Sequence, residues 1–370
     1  MNDLPNGLEY ELVRQGVTRR DFLKFCSAMA ATLVLPTRYI EQIANALATV
    51  KRPPLVWLEF QDCAGCSEAF LRASRPSVGD IVLDTLSVNY HETIMAPAGK
   101  AAIKSLDDTV KEGGYLVVVE GSIPTKDNGI YCTIGGRTAL DIATQVCKNA
   151  AATITVGACA FYGGWPSAVP NPTGAIGVKD AVPGITLINL PGCPPNPVNI
   201  TATIVHYLTF GSLPATDQLG RPLFAYGQRI HDNCERRAHY DAGEFVEEWG
   251  DEHHRAGWCL YKMGCKGPAT FHNCPTVRYN EGTSWPIGAG HGCVGCSEIG
   301  FWDTMSPFYR RLPNVPYLGV EADADKVGAV IAGGVAGAFA LHGIASAIRA
   351  RKQPIARHEP DGVTAEGKEG

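Results

Sequence analysis

Residues 55–68, LVWLEFQDCAGCSE, place a pair of cysteines directly after a short apolar run. The run has the length and the β-branched content of a buried strand. Similar runs recur through the first half of the chain, at residues 55–60, 81–88, 115–119, 152–156 and 185–190. Helical stretches separate the runs; one of them, residues 137–150, puts Cys147 on an apolar face, where we expect it in the core. The alternation predicts an α/β fold with a parallel sheet and crossover helices.

Cysteines follow three of these predicted strands. Cys63 and Cys66 come after the first run, Cys159 after the fourth and Cys193 after the fifth. Because the carboxyl ends of parallel strands meet at one edge of a sheet, we expect the four thiols to converge there. Four thiolates are the ligands of a 4Fe-4S cluster, although structural zinc can use the same four residues.

Beyond about residue 211 the alternation stops. The sequence becomes rich in Gly, His, Cys, Trp and Tyr, and it predicts only a helix over residues 242–249 and a short one near His253. We interpret this region as a smaller, irregular domain that is held together largely by two metal centres.

Two further cysteine groups lie in that region. The first is His231, Cys234, Cys259 and Cys265. It fits a 4Fe-4S cluster whose potential is raised by the neutral imidazole, but a Cys3His set is also a common zinc site. The second group is Cys274, Cys293 and Cys296, with Pro286 where a fourth ligand would be expected. Three thiolates fit a 3Fe-4S cluster and leave zinc one ligand short.

The other cysteines and histidines are expected to play no part in these centres. Cys132 is predicted to be a free, buried thiol, and Cys26 lies in the N-terminal segment described next. The remaining histidines of the second domain are predicted to be surface or hydrogen-bonding residues: His239, His253, His254, His272 and His291.

The N-terminus has the pattern of a twin-arginine export signal. Residues 18–24, TRRDFLK, precede an apolar stretch over residues 25–35, and small residues at 44–46 or 46–48 offer cleavage sites. We therefore expect residues 1–46 to be a removable signal peptide outside the fold, on a route that carries proteins already folded with their cofactors. The alternative is a short amphipathic helix that happens to contain an arginine pair.

A second apolar segment lies near the C-terminus. We predict a transmembrane anchor over residues 326–349, with acidic residues before it and basic residues after it, so that the tail at 350–370 is cytoplasmic. Gly333 and Gly337 offer a close-packing face for another membrane helix. A buried core helix is the alternative. The predicted soluble domains are then residues 47–210 and 211–325.

Composition sets the broad class. The chain has 370 residues, is 45% hydrophobic and carries a net charge of −5, which together describe a globular protein. The acidic balance, without a long basic run, argues against nucleic acid as a partner.

The whole pattern resembles the small subunit of membrane-bound, periplasmic nickel-iron uptake hydrogenases. The motifs that carry the resemblance extend through essentially the whole chain: RRDFLK at residues 19–24, DCAGCSE at 62–68, GSIP at 121–124, PGCPPNP at 191–197 and CLYKMGCKGP at 259–268. The resemblance implies a flavodoxin-like first domain with a proximal 4Fe-4S cluster, a medial 3Fe-4S cluster at the third cysteine group and a distal, histidine-ligated 4Fe-4S cluster at the second.

The resemblance also implies partners. Hydrogen would be oxidised at a nickel-iron centre in a separate large subunit, and electrons would pass through this chain to a membrane cytochrome b and the quinone pool. A dimer of such heterodimers is expected. The main alternative is a non-catalytic, membrane-anchored iron-sulfur or zinc-stabilised subunit of another respiratory complex.

Three residues bear on finer properties. Oxygen-tolerant members of the family carry extra cysteines at the positions that match Gly65 and Gly164, so glycine at both implies the standard, oxygen-sensitive type. His342 interrupts the predicted anchor, where it is either a neighbour of a haem in the cytochrome partner or a hydrogen-bonding residue between helices.

Overall fold

The apolar runs of the first half form one parallel sheet. The computed structural model describes residues 18–49, 53–72, 86–310 and 324–352. The five strands of the sheet are β1 Pro54–Glu59, β2 Ser87–His91, β3 Leu116–Glu120, β4 Ala152–Val156 and β5 Leu187–Leu190. They lie in the order β2-β1-β3-β4-β5. β3 and β4 are buried along their whole length, as expected for parallel strands covered on both faces.

The predicted runs match these strands closely, with one displacement. The run predicted at residues 81–88 gives a strand that begins only at Ser87, and residues 81–85 lie outside the described residues. Each strand pairs with its neighbours in parallel register, so all five carboxyl ends lie at one edge.

Helices cover both faces of the sheet. The longer ones are α1 Arg19–Thr32, α2 Tyr39–Thr49, α3 Gly65–Leu71, α4 Lys100–Glu112, α5 Ala139–Asn149, α6 Gly157–Tyr162 and α7 Pro197–Phe210. Alternate residues of β1 face opposite sides: Trp57 packs in a core with α1, α2 and α7, and Val56 in a core with α4 and α5. Cys147 is buried in the second of these cores, which confirms its predicted position.

The N-terminal segment differs from the expectation that it lies outside the fold. The apolar face of α1 is buried, and so is the inner face of α2; both helices pack against α7 and against each other. Phe22 and Met29 are each 1% exposed, and Ile43 is fully buried. The spacing of these apolar residues suits an amphipathic helix as well as an export signal, and sequence alone does not say which surface covers it.

The other elements between residues 123 and 277 are short and are joined by turns. The α-helices are Val178–Ala181, Leu223–Tyr226, Arg237–Asp241, Glu252–Arg255 and Cys274–Val277. The 3₁₀ helices are Lys126–Gly129, Trp165–Ser167, Ile230–Asn233, Tyr261–Met263 and Gly267–Ala269, and the two-residue strands are Ile123–Pro124, Thr133–Ile134, Arg137–Thr138 and Ala175–Ile176.

The helix predicted over residues 242–249 is wrong, because the helical turn lies earlier, at Arg237–Asp241. Gly243 has φ +74°, which an α-helix cannot continue through, and the chain then forms a bridge between Phe245 and Cys259. The short helix near His253 is confirmed; the side chain of Asp251 accepts a hydrogen bond from the His254 N–H at 2.5 Å and so caps its start.

The molecule separates into two units, Met1–Arg311 and Leu312–Gly370. The first predicted soluble domain, residues 47–210, falls within the first unit, and so do residues 211–311 of the second. Within residues 211–311, the buried guanidinium of Arg221 pairs with Asp217 at 2.8 Å and Glu298 at 3.0 Å. In the second unit, α8 Ala324–Lys352 contains a stretch, Ala329–Arg349, that is long and apolar enough to cross a membrane.

Candidate metal centres

The first cysteine group converges at the carboxyl edge of the sheet, as predicted. Cys63 and Cys66 follow β1, Cys159 lies in α6 directly after β4, and Cys193 follows β5. Burial raises the pKa of the Cys66 thiol well above its usual value, and the nearby charges of Glu120 and of the other three cysteines raise it further. Thiolates at this place would therefore need a compensating cation, which bound iron would supply.

Glycines pack directly against these thiols. A Cβ atom added at Gly65 would lie 3.0 Å from the Cys63 sulfur, and one at Gly164 would lie 2.6 Å from the Cys159 sulfur and backbone. Gly164 also has φ +56°, a conformation that L side chains rarely adopt. The two positions singled out in the sequence thus both border the first cysteine group.

A buried glutamate fixes the position of Cys66. The Glu120 carboxylate, at the end of β3, accepts hydrogen bonds from the backbone N–H groups of Cys66 at 2.9 Å and Ser67 at 2.8 Å. It also accepts one from the Ser67 hydroxyl at 2.6 Å. Ala64, the N-cap of α3, makes no side-chain cap, so Glu120 supplies the acceptor from another strand. Sequence analysis missed Glu120, although an acidic residue that ends a fully apolar strand was a signal.

The second group lines one small cavity. Its walls include His231, Cys234, Cys259 and Cys265. Burial, with a smaller contribution from the neighbouring Cys265 and Cys234, raises the pKa of Cys259 to about 11. Burial together with the charge of Arg237 lowers the pKa of His231, which keeps the imidazole in the neutral form that binds metals.

The third group lines a larger cavity of about 400 Å³. Cys274, Cys293 and Cys296 all border it, and Pro286 lies in the same lining, as its place in the sequence suggested. Burial raises the pKa of Cys274, and the charge of Cys296 adds to the effect. The cavity also contains His272 and a face of Cys193.

The three groups lie in the spatial order first, third, second. Burial is the main cause that raises the pKa of Cys193, in the first group. The charge of Cys296, in the third group, also raises it, so these two side chains lie close together. Cys293 of the third group donates its backbone N–H to the sulfur of Cys265, in the second, at 3.3 Å. The Lys266 N–H returns a hydrogen bond to the Cys293 carbonyl at 2.7 Å. The third group is therefore the central one, as the resemblance implies for a medial cluster.

The residues fit iron-sulfur clusters better than single ions. Within the part of the chain that the structure describes, no three His, Cys, Asp or Glu side chains are positioned to hold one metal ion. The thiols of the second and third groups border cavities, and soft thiolate donors are the preferred ligands of iron-sulfur clusters. When bound, such clusters exchange single electrons.

The remaining histidines mostly form hydrogen bonds, as predicted. His239 contacts Glu244 at 2.5 Å, His254 contacts the Gly290 carbonyl at 2.8 Å, and His291 contacts the Gly292 carbonyl at 2.7 Å. His253 stacks on Trp258.

His272 was expected to be either a surface residue or a hydrogen-bonding residue, and it does not lie at the surface. Its ring is only 2% exposed, and Nδ1 lies 3.0 Å from the sulfur of Cys274. Burial, with the charge of Arg221, lowers the pKa of His272 to about 3, so the imidazole is neutral. Cys132 differs slightly from its prediction, because it is half-buried.

Comparison with known proteins identifies the family. The chain is 48% identical to the uptake hydrogenase small subunit of Azotobacter vinelandii, over 91% of this chain and 94% of that protein. It belongs to the family of nickel-iron hydrogenase small subunits. It is also 44% identical to the quinone-reactive Ni/Fe-hydrogenase small chain of Wolinella succinogenes, over 90% of this chain and 97% of that one. Small subunits of the family hold iron-sulfur clusters and pair with a large catalytic subunit.

Family models divide the chain near the change in architecture. Residues 226–309 match the C-terminal model of the NiFe/NiFeSe hydrogenase small subunit, and residues 63–207 match the model of the NADH ubiquinone oxidoreductase 20 Kd subunit. The reduced, active Ni-Fe-Se hydrogenase of Desulfomicrobium baculatum superimposes with a TM-score of 0.66 at 35% identity, over 70% of this chain and all of that one. The second and third cysteine groups lie outside residues 63–207, so the oxidoreductase model covers only the first group. The uptake hydrogenase small subunit, by contrast, matches over 91% of this chain.

Proposed function

We propose that this protein transfers electrons away from hydrogen oxidised in its large subunit, through three clusters, to a membrane cytochrome b and the quinone pool. The observation that supports the relay is the spatial order of the cysteine groups, with the third group in contact with both of the others. The quinone-reactive relative supports the acceptor.

The chain's own residues provide the binding sites in this proposal. A proximal 4Fe-4S cluster binds to Cys63, Cys66, Cys159 and Cys193, and a distal one to His231, Cys234, Cys259 and Cys265. A medial 3Fe-4S cluster binds to Cys274, Cys293 and Cys296, beside Pro286. The polypeptide buries Cys259, Cys265, Cys274 and Cys293, and Glu120 holds the backbone of Cys66. The nickel-iron centre belongs only to the large subunit.

The cellular location is part of the same proposal. The twin-arginine pattern at residues 18–24 supports export in the folded state, and the apolar stretch Ala329–Arg349 supports an inner-membrane anchor with the body in the periplasm. His342 lies in that stretch and is proposed as a contact residue for the cytochrome partner. A dimer of heterodimers completes the assembly.

Anaerobic purification of the complex tests the cluster assignment. We expect co-purified nickel, iron with acid-labile sulfide, and a 3Fe-4S signal in electron paramagnetic resonance. The Cys274→Ser variant should lose that signal, whereas Cys147→Ser, which replaces a core cysteine that belongs to none of the three groups, should keep it. Zinc in place of iron, or the absence of a nickel-bearing partner, would contradict the proposal and favour a scaffold subunit.

Glycine at positions 65 and 164 supports an oxygen-sensitive enzyme. We expect reversible inactivation by air and a single redox transition of the proximal cluster. A second, superoxidised step in a potentiometric titration would contradict this part of the proposal.

A further inference from the structure

His272 is directed at a ligand of the central site. It precedes Cys274 by two positions, and its Nδ1 atom lies 3.0 Å from the Cys274 sulfur. A sulfur that carries negative charge in a cluster can only accept a hydrogen bond, so Nδ1 must be the protonated nitrogen. The contact is then an N–H···S hydrogen bond from a neutral imidazole.

The ring is held in this orientation from several sides. The His272 backbone N–H donates to the Gln228 carbonyl at 3.1 Å, and the ring packs edge-on against Tyr226 at 5.0 Å between centroids. Tyr226 is itself fixed, because its hydroxyl donates to the Pro191 carbonyl at 2.7 Å. The imidazole therefore has little freedom to turn away from the sulfur.

The other ring nitrogen, Nε2, does not hydrogen-bond to the Cys274 sulfur or hold the ring in place. Nε2 of His272 is buried without a hydrogen-bond partner among the described residues. A buried, unpartnered polar atom is destabilising, so packing alone would favour an apolar side chain here. A histidine at position 272 is explained if its Nδ1–H donates a hydrogen bond to the Cys274 sulfur.

Tyr279 is a second polar neighbour of the same sulfur. Its side chain is within hydrogen-bonding reach of Cys274, but its hydroxyl is also 3.2 Å from the Pro194 carbonyl, beside the first group. One hydroxyl proton serves only one acceptor at a time. His272 is thus the more dedicated donor of the two.

We propose that His272 is a positioning residue for the medial site, where its Nδ1–H donates to Cys274 and raises the reduction potential of the cluster bound there. Reduction adds negative charge to the cluster sulfurs, and a hydrogen-bond donor stabilises the more negative state. The inference rests on the proposed function, because it assumes a 3Fe-4S cluster at this group.

The test is a potentiometric titration of the 3Fe-4S signal in the intact complex. In the His272→Leu variant we expect the equilibrium constant for reduction to fall by about threefold to tenfold, the range of the net contribution of one ordinary hydrogen bond. His272→Asn retains an N–H close to the Nδ1 position and should recover most of the loss. His206→Leu is the matched control, because His206 is a half-buried ring bonded to the Ser212 carbonyl.

Each outcome decides the matter. An unchanged potential in His272→Leu, or an equal change in His206→Leu, overturns the inference. If the leucine variant assembles no medial cluster, His272→Asn is compared with His272→Gln, whose amide lies one bond farther out; equal potentials then overturn it. Absence of a 3Fe-4S signal in the unmodified complex would instead contradict the proposed function.

Discussion

At the scale of single residues, the candidate centres depend on groups that are not ligands. Gly164 leaves space for the Cys159 thiol, and Glu120 holds the backbone of Cys66. Neither residue is among the proposed ligands, yet each affects where a thiol lies. Because a Cβ atom at position 164 would lie 2.6 Å from the backbone of Cys159, a cysteine there would require that backbone to move.

Gly164→Ala should disrupt the first centre. Its Cβ would lie 2.6 Å from Cys159, so the thiol must shift, and we expect a loss of up to about four iron atoms per chain. Gly99→Ala is the control, because Gly99 has φ +54° but nothing within 4 Å. It carries the same backbone strain without the clash. Equal iron contents in the two variants would show that the clash has no effect.

Glu92 should make stability depend on pH. Its carboxylate accepts the Glu59 N–H at 2.5 Å, and burial raises its pKa from 4.5 to about 8. Between these values the folded state holds a proton that the unfolded state has lost, so stability is present at low pH and is lost as pH rises through that window. We expect Glu92→Gln to flatten the fall in thermal midpoint between about pH 5 and about pH 8. An unchanged slope in the variant would assign the dependence to another group.

At the scale of elements, the helices α1 and α2 show how one pattern can suit two surroundings. Their apolar residues are buried against α7, whereas Arg20 and Lys24 face solvent. The twin-arginine pattern and the packing are compatible in a folded chain that still carries its signal. Removal of the signal would uncover apolar surface of α7.

Ile43→Asp should release these two helices. Ile43 is fully buried, and a carboxylate there would lack a partner, which costs several kcal/mol. In the full chain we expect backbone amides of residues 19–49 to lose protection from hydrogen exchange. Val34→Asp is the control, because Val34 is 76% exposed. Protection that survives Ile43→Asp would mean that this contact does not hold the helices.

At the scale of the whole molecule, the chain comprises a body that ends at Arg311 and a separate unit with α8. All three cysteine groups belong to the body, and α8 is long and apolar enough to span a membrane. The proposed division is therefore between electron transfer in the body and attachment in α8.

Deletion of residues 324–370 should release the assembled complex from membranes. We expect the complex to stay with the soluble fraction in a flotation assay and to retain its iron. Deletion of residues 353–370 alone keeps α8 and should leave the complex on the membrane. If the longer deletion also stayed membrane-bound, the attachment would have to come from the body or from a partner.

The sequence by itself determined the sheet, the edge where the first four cysteines meet and the membership of each cysteine group. Parallel strands give their carboxyl ends a common edge, so cysteines far apart in sequence could be placed together without coordinates. Only the tertiary structure decided that the third group lies between the first and the second, that Glu120 anchors Cys66 and that His272 faces Cys274. These features depend on side chains from different elements that meet in irregular loops, where no periodicity records which residues will touch.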